Sequence, residues 1–266
     1  MSPPITRSSP AFRSMAWDPA DYATHAGFVP ALGVPVLALL GPVAGLRVLD
    51  LGCGDGMLTQ DLVAAGAVVV GIDADPAMVA AAVARGLNAR VGDGRALAVD
   101  AGFDAVFTNA ALHWMGDPTP VSAGVFRALT PGGRYVGEFG GHGNVAAIRV
   151  AMRTVLAGRG YAVPAVDANY YPTAPAFRAV LEAAGFVVDA CDILPRPTSV
   201  ASGMAAWLHT FRAGFFDAAG VPEDAQAAVI DEIVTMLRPV LADPQGRWTA
   251  DYVRLRFAAR KPLDPR

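Results

Sequence analysis

The residue types best able to bind a cofactor lie in residues 48–56, which read VLDLGCGDG. This apolar segment ends in Gly52, Gly54 and Gly56, and glycine lets a backbone approach a ligand where any Cβ would clash. Amide groups at the start of the next helix would face an anionic group of that ligand. Asp73 ends the next apolar segment, where a carboxylate can accept both hydroxyls of a ribose. These features together predict a nucleoside-containing cofactor rather than a plain strand–helix turn with an exposed acid.

The spacing of the glycines separates the cofactor classes. The sequence has Gly52-x-Gly54-x-Gly56 instead of G-x-G-x-x-G, and no second nucleotide-binding half follows, which disfavours NAD and FAD. A Lys-Ser or Lys-Thr pair is missing after the glycines, so the segment is not an ATP-binding P-loop.

The elements that must position these residues alternate between strand and helix. Apolar strands without a polar face indicate a parallel sheet that is covered on both sides. The pattern predicts strands at 47–51, 67–72, 88–91, 103–108 and 134–139, with helices at 57–65, 75–85 and 121–129.

The rest of the chain predicts further helices, interrupted by two more strands. Helices are expected at 17–40 with breaks at Pro30 and Pro35, and later at 145–156, 176–184, 201–216 and 223–238, the last ending before Pro239. Strands are expected at 186–192 and 253–257. In the second of these, Arg254 and Arg256 would lie on a half-exposed face near a sheet edge.

We expect one structural domain that is divided along the chain. The fold class is α/β, with a Rossmann-like, doubly wound, seven-stranded and mostly parallel sheet, helices on both faces and a helical cap over the carboxyl edge. The segments are a disordered tip with N-terminal cap helices (1–46), a cofactor-binding core (47–140), a helical and loop insertion (141–175), a core helix and strand (176–195), a helical cap (196–247), and the last core strand with a tail (248–266).

Five segments of the chain resemble the motifs of class I S-adenosylmethionine-dependent methyltransferases. They occur in family-like order at 48–56, 71–75, 91–94, 103–114 and 129–134. Residues 207–211 and 248–252 resemble the helical cap and last strand of the trans-aconitate methyltransferase-like branch. The resemblance implies S-adenosyl-L-methionine as cofactor and S-adenosyl-L-homocysteine as product.

The resemblance also implies which residues surround the cofactor. Gly52 and Gly54 would contact its amino acid part, and Asp73 its ribose. Around the adenine we expect Asp93 and Gly94 at the amino group, with Ala74 and Met78 against the ring. Near the methionine end and the sulfonium we expect Asn109, Ala110, Trp114 and Tyr22, since aromatic faces attract cations.

Methyl transfer needs a general base only when the nucleophile carries a proton. His113 follows the fourth strand at the carboxyl edge and is the first candidate, either as a base that titrates near the ordinary imidazole value or as a hydrogen-bond partner of the substrate. His142, after the fifth strand, is the second candidate. The alternatives are a wall of the cofactor pocket for His113 and a surface loop for His142.

The composition and net charge of the chain limit the kinds of partner that it is expected to bind. The chain has 266 residues, 53% of them hydrophobic, and a net charge of −3, which disfavours nucleic-acid binding. Residues 26–46 lack charge, but three prolines interrupt them, so no membrane insertion is expected. Two cysteines are too few for a disulfide framework, which fits the reducing cytoplasm. The histidines are scattered along the chain, so no metal site is expected.

We expect a methyltransferase that acts on oxygen, nitrogen or carbon of a small, partly hydrophobic molecule; the alternative is a cyclase-like or purely binding use of the same site. Nothing in the sequence indicates an oligomeric state.

Overall fold

The fold is built around one seven-stranded sheet. The structure is a computed structural model, which describes residues 28–163 and 169–263 of the chain. Its strands are β1 (Arg47–Leu51), β2 (Val68–Asp73), β3 (Ala89–Val91), β4 (Phe103–Asn109), β5 (Leu129–Gly140), β6 (Val187–Pro195) and β9 (Val253–Arg260), with β7 (Thr198–Ser199) and β8 (Thr249–Ala250) forming a separate pair. The helices are α1 (Phe28–Leu40), α2 (Met57–Ala64), α3 (Pro76–Ala84), α4 (Pro118–Ala128), α5 (Ala146–Gly158), α6 (Ala174–Ala183), α7 (Met204–Ala218) and α8 (Glu223–Leu241).

Strand order confirms the predicted fold. The order is β3-β2-β1-β4-β5-β9-β6, and β1 to β5 pair in parallel. Strand β9 runs antiparallel between β5 and β6. The carboxyl ends of β1, β2, β4 and β5 therefore meet at one edge of the sheet, where ligands bind in such folds.

Apolar side chains cover both faces of the sheet. On one face, Leu58 and Leu62 of α2 pack with Val48 of β1 and with Val36 of α1. On the other, α4 and α6 pack against β1, β4, β5 and β9 in a cluster that includes Val125. The central strands β1, β4 and β5 are therefore largely buried between helices, which explains why these segments lack a polar face.

A third hydrophobic core lies in the cap. It joins α5, α7 and α8 with residues near β7 and β8, and Trp207 is among its largest buried side chains. The cap elements enter after the ends of β5 and β6 and return just before β9 begins, so all of these connections lie at the carboxyl edge. The large apolar groups of α7 mainly form this core.

Several predicted element boundaries were wrong. Helix α1 continues through Pro35, and α8 continues through Pro239 to Leu241. Buried packing of the neighbouring Val36 and Leu237 offsets the hydrogen bonds that the prolines remove. Helix α4 begins three residues before the predicted start at 121, because Asp117 caps it by accepting a 2.9 Å hydrogen bond from the Thr119 amide.

Strand β9 differs from its predicted environment. The strand lies inside the sheet, next to the edge strand β6, and pairs on both sides. Arg254 is only 5% exposed instead of half-exposed. The face that was expected to meet solvent is therefore largely covered.

Candidate active site

The glycine loop after β1 has one open side. A Cβ on Gly52 would lie 2.2 Å from the Ala111 Cβ, and a Cβ on Gly56 would lie 2.3 Å from Leu87 Cδ1. Gly54 also has a positive φ of 55°, yet nothing lies within 4 Å of its Cβ position. Packing therefore requires glycine at two of these positions, whereas Gly54 presents bare backbone to open space that a ligand can fill.

Asp73 lies beside this open loop at the end of β2. Its Oδ2 accepts a 2.9 Å hydrogen bond from the Gly54 amide, and its Oδ1 accepts one of 2.9 Å from the Asp75 amide. Burial raises the pKa of Asp73, and these backbone hydrogen bonds oppose that rise. A carboxylate has about four acceptor positions, so positions for ribose hydroxyls remain.

Asp50 has an internal role instead. Its side chain is buried and accepts a 2.7 Å hydrogen bond from Thr59 Oγ1 of α2. Burial raises the pKa of Asp50 to about 7, against the opposing effect of the Thr59 hydrogen bond. Asp50 thus links β1 to the helix that follows the glycine loop.

The residues predicted around the adenine have unequal surroundings. Asp93 accepts hydrogen bonds from the backbone amide and the guanidinium of Arg95, which lower its pKa, and its side chain is 41% exposed. Gly94 is buried, and a Cβ there would lie 2.8 Å from Met115 Sδ. Met115 was not predicted, because no motif marks it. Ala74, which follows β2, is exposed, and Met78 of α3 is buried.

The end of β4 is held in an unusual backbone conformation. Ala110 has a φ of 55°, and its amide donates a 2.7 Å hydrogen bond to the Glu138 carbonyl. A left-handed alanine costs on the order of 1 kcal/mol, a cost typical of functional sites. Asn109 is half-buried, and a Cβ on Gly33 of α1 would lie 3.1 Å from its Nδ2. The N-terminal helix therefore reaches this edge.

His113 is buried just after β4 and is 6% exposed. Its Nδ1 accepts a hydrogen bond of 3.3 Å from the Gly140 amide, so in the neutral ring Nε2 carries the proton. Burial, followed by the charges of Arg254 and Arg212, lowers the pKa of His113 well below its ordinary value. This direction opposes the expected titration near 6.5, and the hydrogen bond from Gly140 leaves Nε2–H as the donor of the neutral ring.

Of the remaining sequence-predicted residues, one lies beside His113, one is exposed, and one is outside the described chain. The side chain of His142 is exposed, which fits the surface-loop alternative. Trp114 is half-buried, with its ring centroid 5.0 Å from that of His113. Tyr22 lies outside the described residues.

Segment 169–171 joins His113 to the cap. The Tyr170 amide and Asn169 Nδ2 both donate to the His113 carbonyl, at 2.9 and 3.4 Å. Arg212 Nη1 of α7 donates a 2.6 Å hydrogen bond to Asn169 Oδ1, and its Nη2 donates one of 3.2 Å to the Tyr171 hydroxyl. The sequence predicted only a loop here, and no motif marked these residues.

The described residues contain neither a cluster of metal ligands nor a helix that could span a membrane. Within residues 28–163 and 169–263, no group of three His, Cys, Asp or Glu side chains could hold a metal ion. In the same part of the chain, no helix is both long enough and apolar enough to cross a membrane.

Comparisons with known proteins show which family the chain resembles. Residues 49–137 match the family model described as a methyltransferase domain. An uncharacterized methyltransferase, C70.08c, of Schizosaccharomyces pombe is 37% identical over 92% of this chain and 98% of its own. The trans-aconitate 2-methyltransferase of Mycobacterium tuberculosis is 37% identical over 44% of this chain, and the match spans 45% of that enzyme.

A solved structure has the same fold. Phosphoethanolamine N-methyltransferase 2 of Haemonchus contortus, in complex with phosphomonomethylethanolamine and S-adenosylhomocysteine, is 18% identical, with a TM-score of 0.58 over 92% of this chain and 57% of its own. The full-length similarity to the yeast protein, the matched domain and the open glycine loop beside Asp73 agree with one another. The chain therefore belongs to the class I S-adenosylmethionine-dependent methyltransferases.

Proposed function

We infer that this chain methylates an oxygen, nitrogen or carbon atom of a small, partly hydrophobic molecule held between the sheet edge and the cap. The observation that carries the inference is the open backbone of Gly54 beside Asp73, at the edge where the cap elements connect. We also propose that it works in the cytoplasm and binds neither nucleic acid nor membranes, which its net charge of −3 and its two free cysteines support.

The cofactor supplies an electrophilic methyl group on a sulfonium. The chain's own residues have two tasks. Gly52, Gly54 and Asp73 bind and orient the cofactor, with Asp93, Gly94, Ala74 and Met78 near its adenine and Asn109, Ala110 and Trp114 near its methionine end. The cap excludes water, so that the nucleophile and the methyl group are aligned in a dry site.

The surroundings of His113 favour an acceptor atom that already has a free electron pair, so that no base has to remove a proton before methyl transfer. Its Nδ1 lone pair is engaged by the Gly140 amide, so the ring can orient a substrate through Nε2–H but cannot serve as base at that nitrogen. A carboxylate oxygen, a neutral amine or a stabilised carbanion satisfies this condition.

Labelled cofactor and a metabolite extract test the function. We expect the purified protein to bind S-adenosylmethionine in calorimetry and to transfer its labelled methyl group to a small molecule that mass spectrometry then identifies. Asp73→Ala is the matched negative control. Cofactor binding without transfer to any component would favour the cyclase-like or binding alternative, and absence of cofactor binding would overturn the assignment.

A further inference from the structure

Two arginines beneath the cap are buried without an acidic partner among the described residues. Arg212 of α7 is 8% exposed, and Arg254 of β9 is 5% exposed. The Nε atoms of both are buried and have no hydrogen-bond partner within residues 28–163 and 169–263. A buried charge is costly unless it is paired, so this arrangement calls for an anion.

The partners that the described chain provides for Arg212 are neutral. Its two Nη atoms donate to the Asn169 side-chain carbonyl and to the Tyr171 hydroxyl, and its guanidinium lies 5.5 Å from the ring centroid of Trp207. These contacts fix the plane of the guanidinium but do not neutralise it. A fixed guanidinium is suited to binding a carboxylate through two parallel hydrogen bonds.

Arg254 differs from an arginine on the same strand. Arg256, two residues further along β9, forms a 2.7 Å ion pair with Glu138, and Arg196 also pairs with that carboxylate. Among the described residues, the charge-stabilising neighbour of Arg254 is the ring of Tyr252, whose centroid lies 4.5 Å from the guanidinium. The fold therefore supplies a counter-ion to Arg256 and, within the described chain, none to Arg254.

Both guanidiniums act on the same surroundings. Arg212 lies over the ring of Trp207 and Arg254 over the ring of Tyr252, and Trp207 Nε1 donates a 2.7 Å hydrogen bond to the Tyr252 hydroxyl, which places both arginines around one region. Both charges also lower the pKa of His113. Arg149 of α5 lines a narrow recess together with Arg212 and lies 5.3 Å from the Tyr171 ring centroid. The positive charge therefore converges beside His113, at the end of β4 where the methyl acceptor would bind.

We propose that Arg212 and Arg254 bind a carboxylate of the methyl acceptor, so that the substrate is an organic acid. This inference rests on the proposed function and names the substrate class of the same site. His113 Nε2–H and the Tyr171 hydroxyl are the neutral groups that would border the acid.

Binding to the protein saturated with S-adenosylhomocysteine tests the proposal without turnover. The probes are benzoate, octanoate, succinate and propane-1,2,3-tricarboxylate, each paired with its primary amide of similar shape. We expect at least one acid to bind in calorimetry, and its amide to bind at least about tenfold more weakly, because the amide cannot form the charge-assisted pair.

Charge-removing variants then assign the site. Arg212→Gln and Arg254→Gln should each weaken acid binding at least about tenfold, since one charge-assisted interaction is lost. Arg238→Gln removes an exposed arginine from α8 in the same cap and should leave acid binding unchanged. All three variants should keep their affinity for S-adenosylhomocysteine. Arg212→Lys, which keeps the charge, should bind the acid better than Arg212→Gln and shows whether a weakened variant still folds.

The outcomes separate this proposal from the proposed function. The proposal is overturned if no acid binds the cofactor-loaded protein, if acids and amides bind equally, or if the two arginine variants bind the acid as the wild type does. Methylation of a neutral molecule at an unchanged rate in Arg212→Gln would also overturn it while leaving the methyltransferase function intact. Failure of the wild type to bind S-adenosylhomocysteine would overturn the function itself.

Discussion

Asp73→Ala is the change that most directly tests the cofactor site. The carboxylate accepts one hydrogen bond from Gly54 and one from Asp75, both 2.9 Å long, and has acceptor positions left for a ribose. The substitution removes the ribose acceptor and one support of the glycine loop together. We therefore expect a large loss of cofactor affinity and a small loss of stability.

The magnitudes follow from the number of hydrogen bonds involved. Hydrogen bonds to charged groups contribute about 1.5–3 kcal/mol each, so even one lost ribose bond weakens binding at least about tenfold. Losing the two internal bonds destabilises the fold, but removal of a half-buried carboxylate with a raised pKa offsets part of that cost. A net loss of about 1–2 kcal/mol corresponds to a fall in melting temperature of several degrees.

Calorimetric titration with S-adenosylhomocysteine and thermal unfolding measure the two effects. Asp117→Ala is the matched control, because Asp117 also accepts an amide hydrogen bond two residues along, at the start of α4. The control should lower the melting temperature to a similar extent and leave cofactor affinity unchanged. Asp73→Asn should fall between wild type and Asp73→Ala, since it keeps the shape and one acceptor oxygen. Unchanged affinity in a folded Asp73→Ala protein would refute the ribose assignment.

Three further predictions concern neighbouring residues. Gly52→Ala should lower the melting temperature strongly, because its Cβ would lie 2.2 Å from that of Ala111, whereas Gly54→Ala should fold and mainly lose cofactor affinity; equal melting temperatures would contradict this. The pKa of Asp50 is raised to about 7, so the folded state holds a proton that the unfolded state releases above about pH 4. Stability should therefore fall as pH rises from 4 to 7, by on the order of 4 kcal/mol, and urea unfolding of Asp50→Asn should lack this slope; identical slopes would refute it. His113→Asn should preserve stability better than His113→Ala, which leaves a buried amide unpaired at about 1–3 kcal/mol, and the wild-type rate should not rise with pH through 6.5. A rise that His113→Asn abolishes would restore the general-base role.

Local sequence patterns were sufficient to predict the strands and helices around the glycine loop. Strands β1, β2 and β4 are short, mainly apolar segments, and glycines or an Asp-Pro pair mark most helix starts and ends around them, so local chemistry sufficed to predict them. The Asp-Pro pair at 117–118 is the same signal as that at 75–76 and would have placed the start of α4 correctly. Asp73 beside the glycine loop was also predictable, because parallel neighbouring strands end at one edge.

The surroundings of His113 and of the buried arginines depend on long-range packing and could not be predicted from the sequence. The alternation in β9 predicted Arg254 on a half-exposed face, but that face is covered, so the arginine is buried. His113 has the residue type of a general base, yet burial, the Gly140 amide and two arginines that are distant in sequence make it a neutral donor. Local patterns determine which residues form a helix or strand. The pKa and the partners of a side chain depend on what long-range packing brings against it, and no single segment of the sequence contains that information.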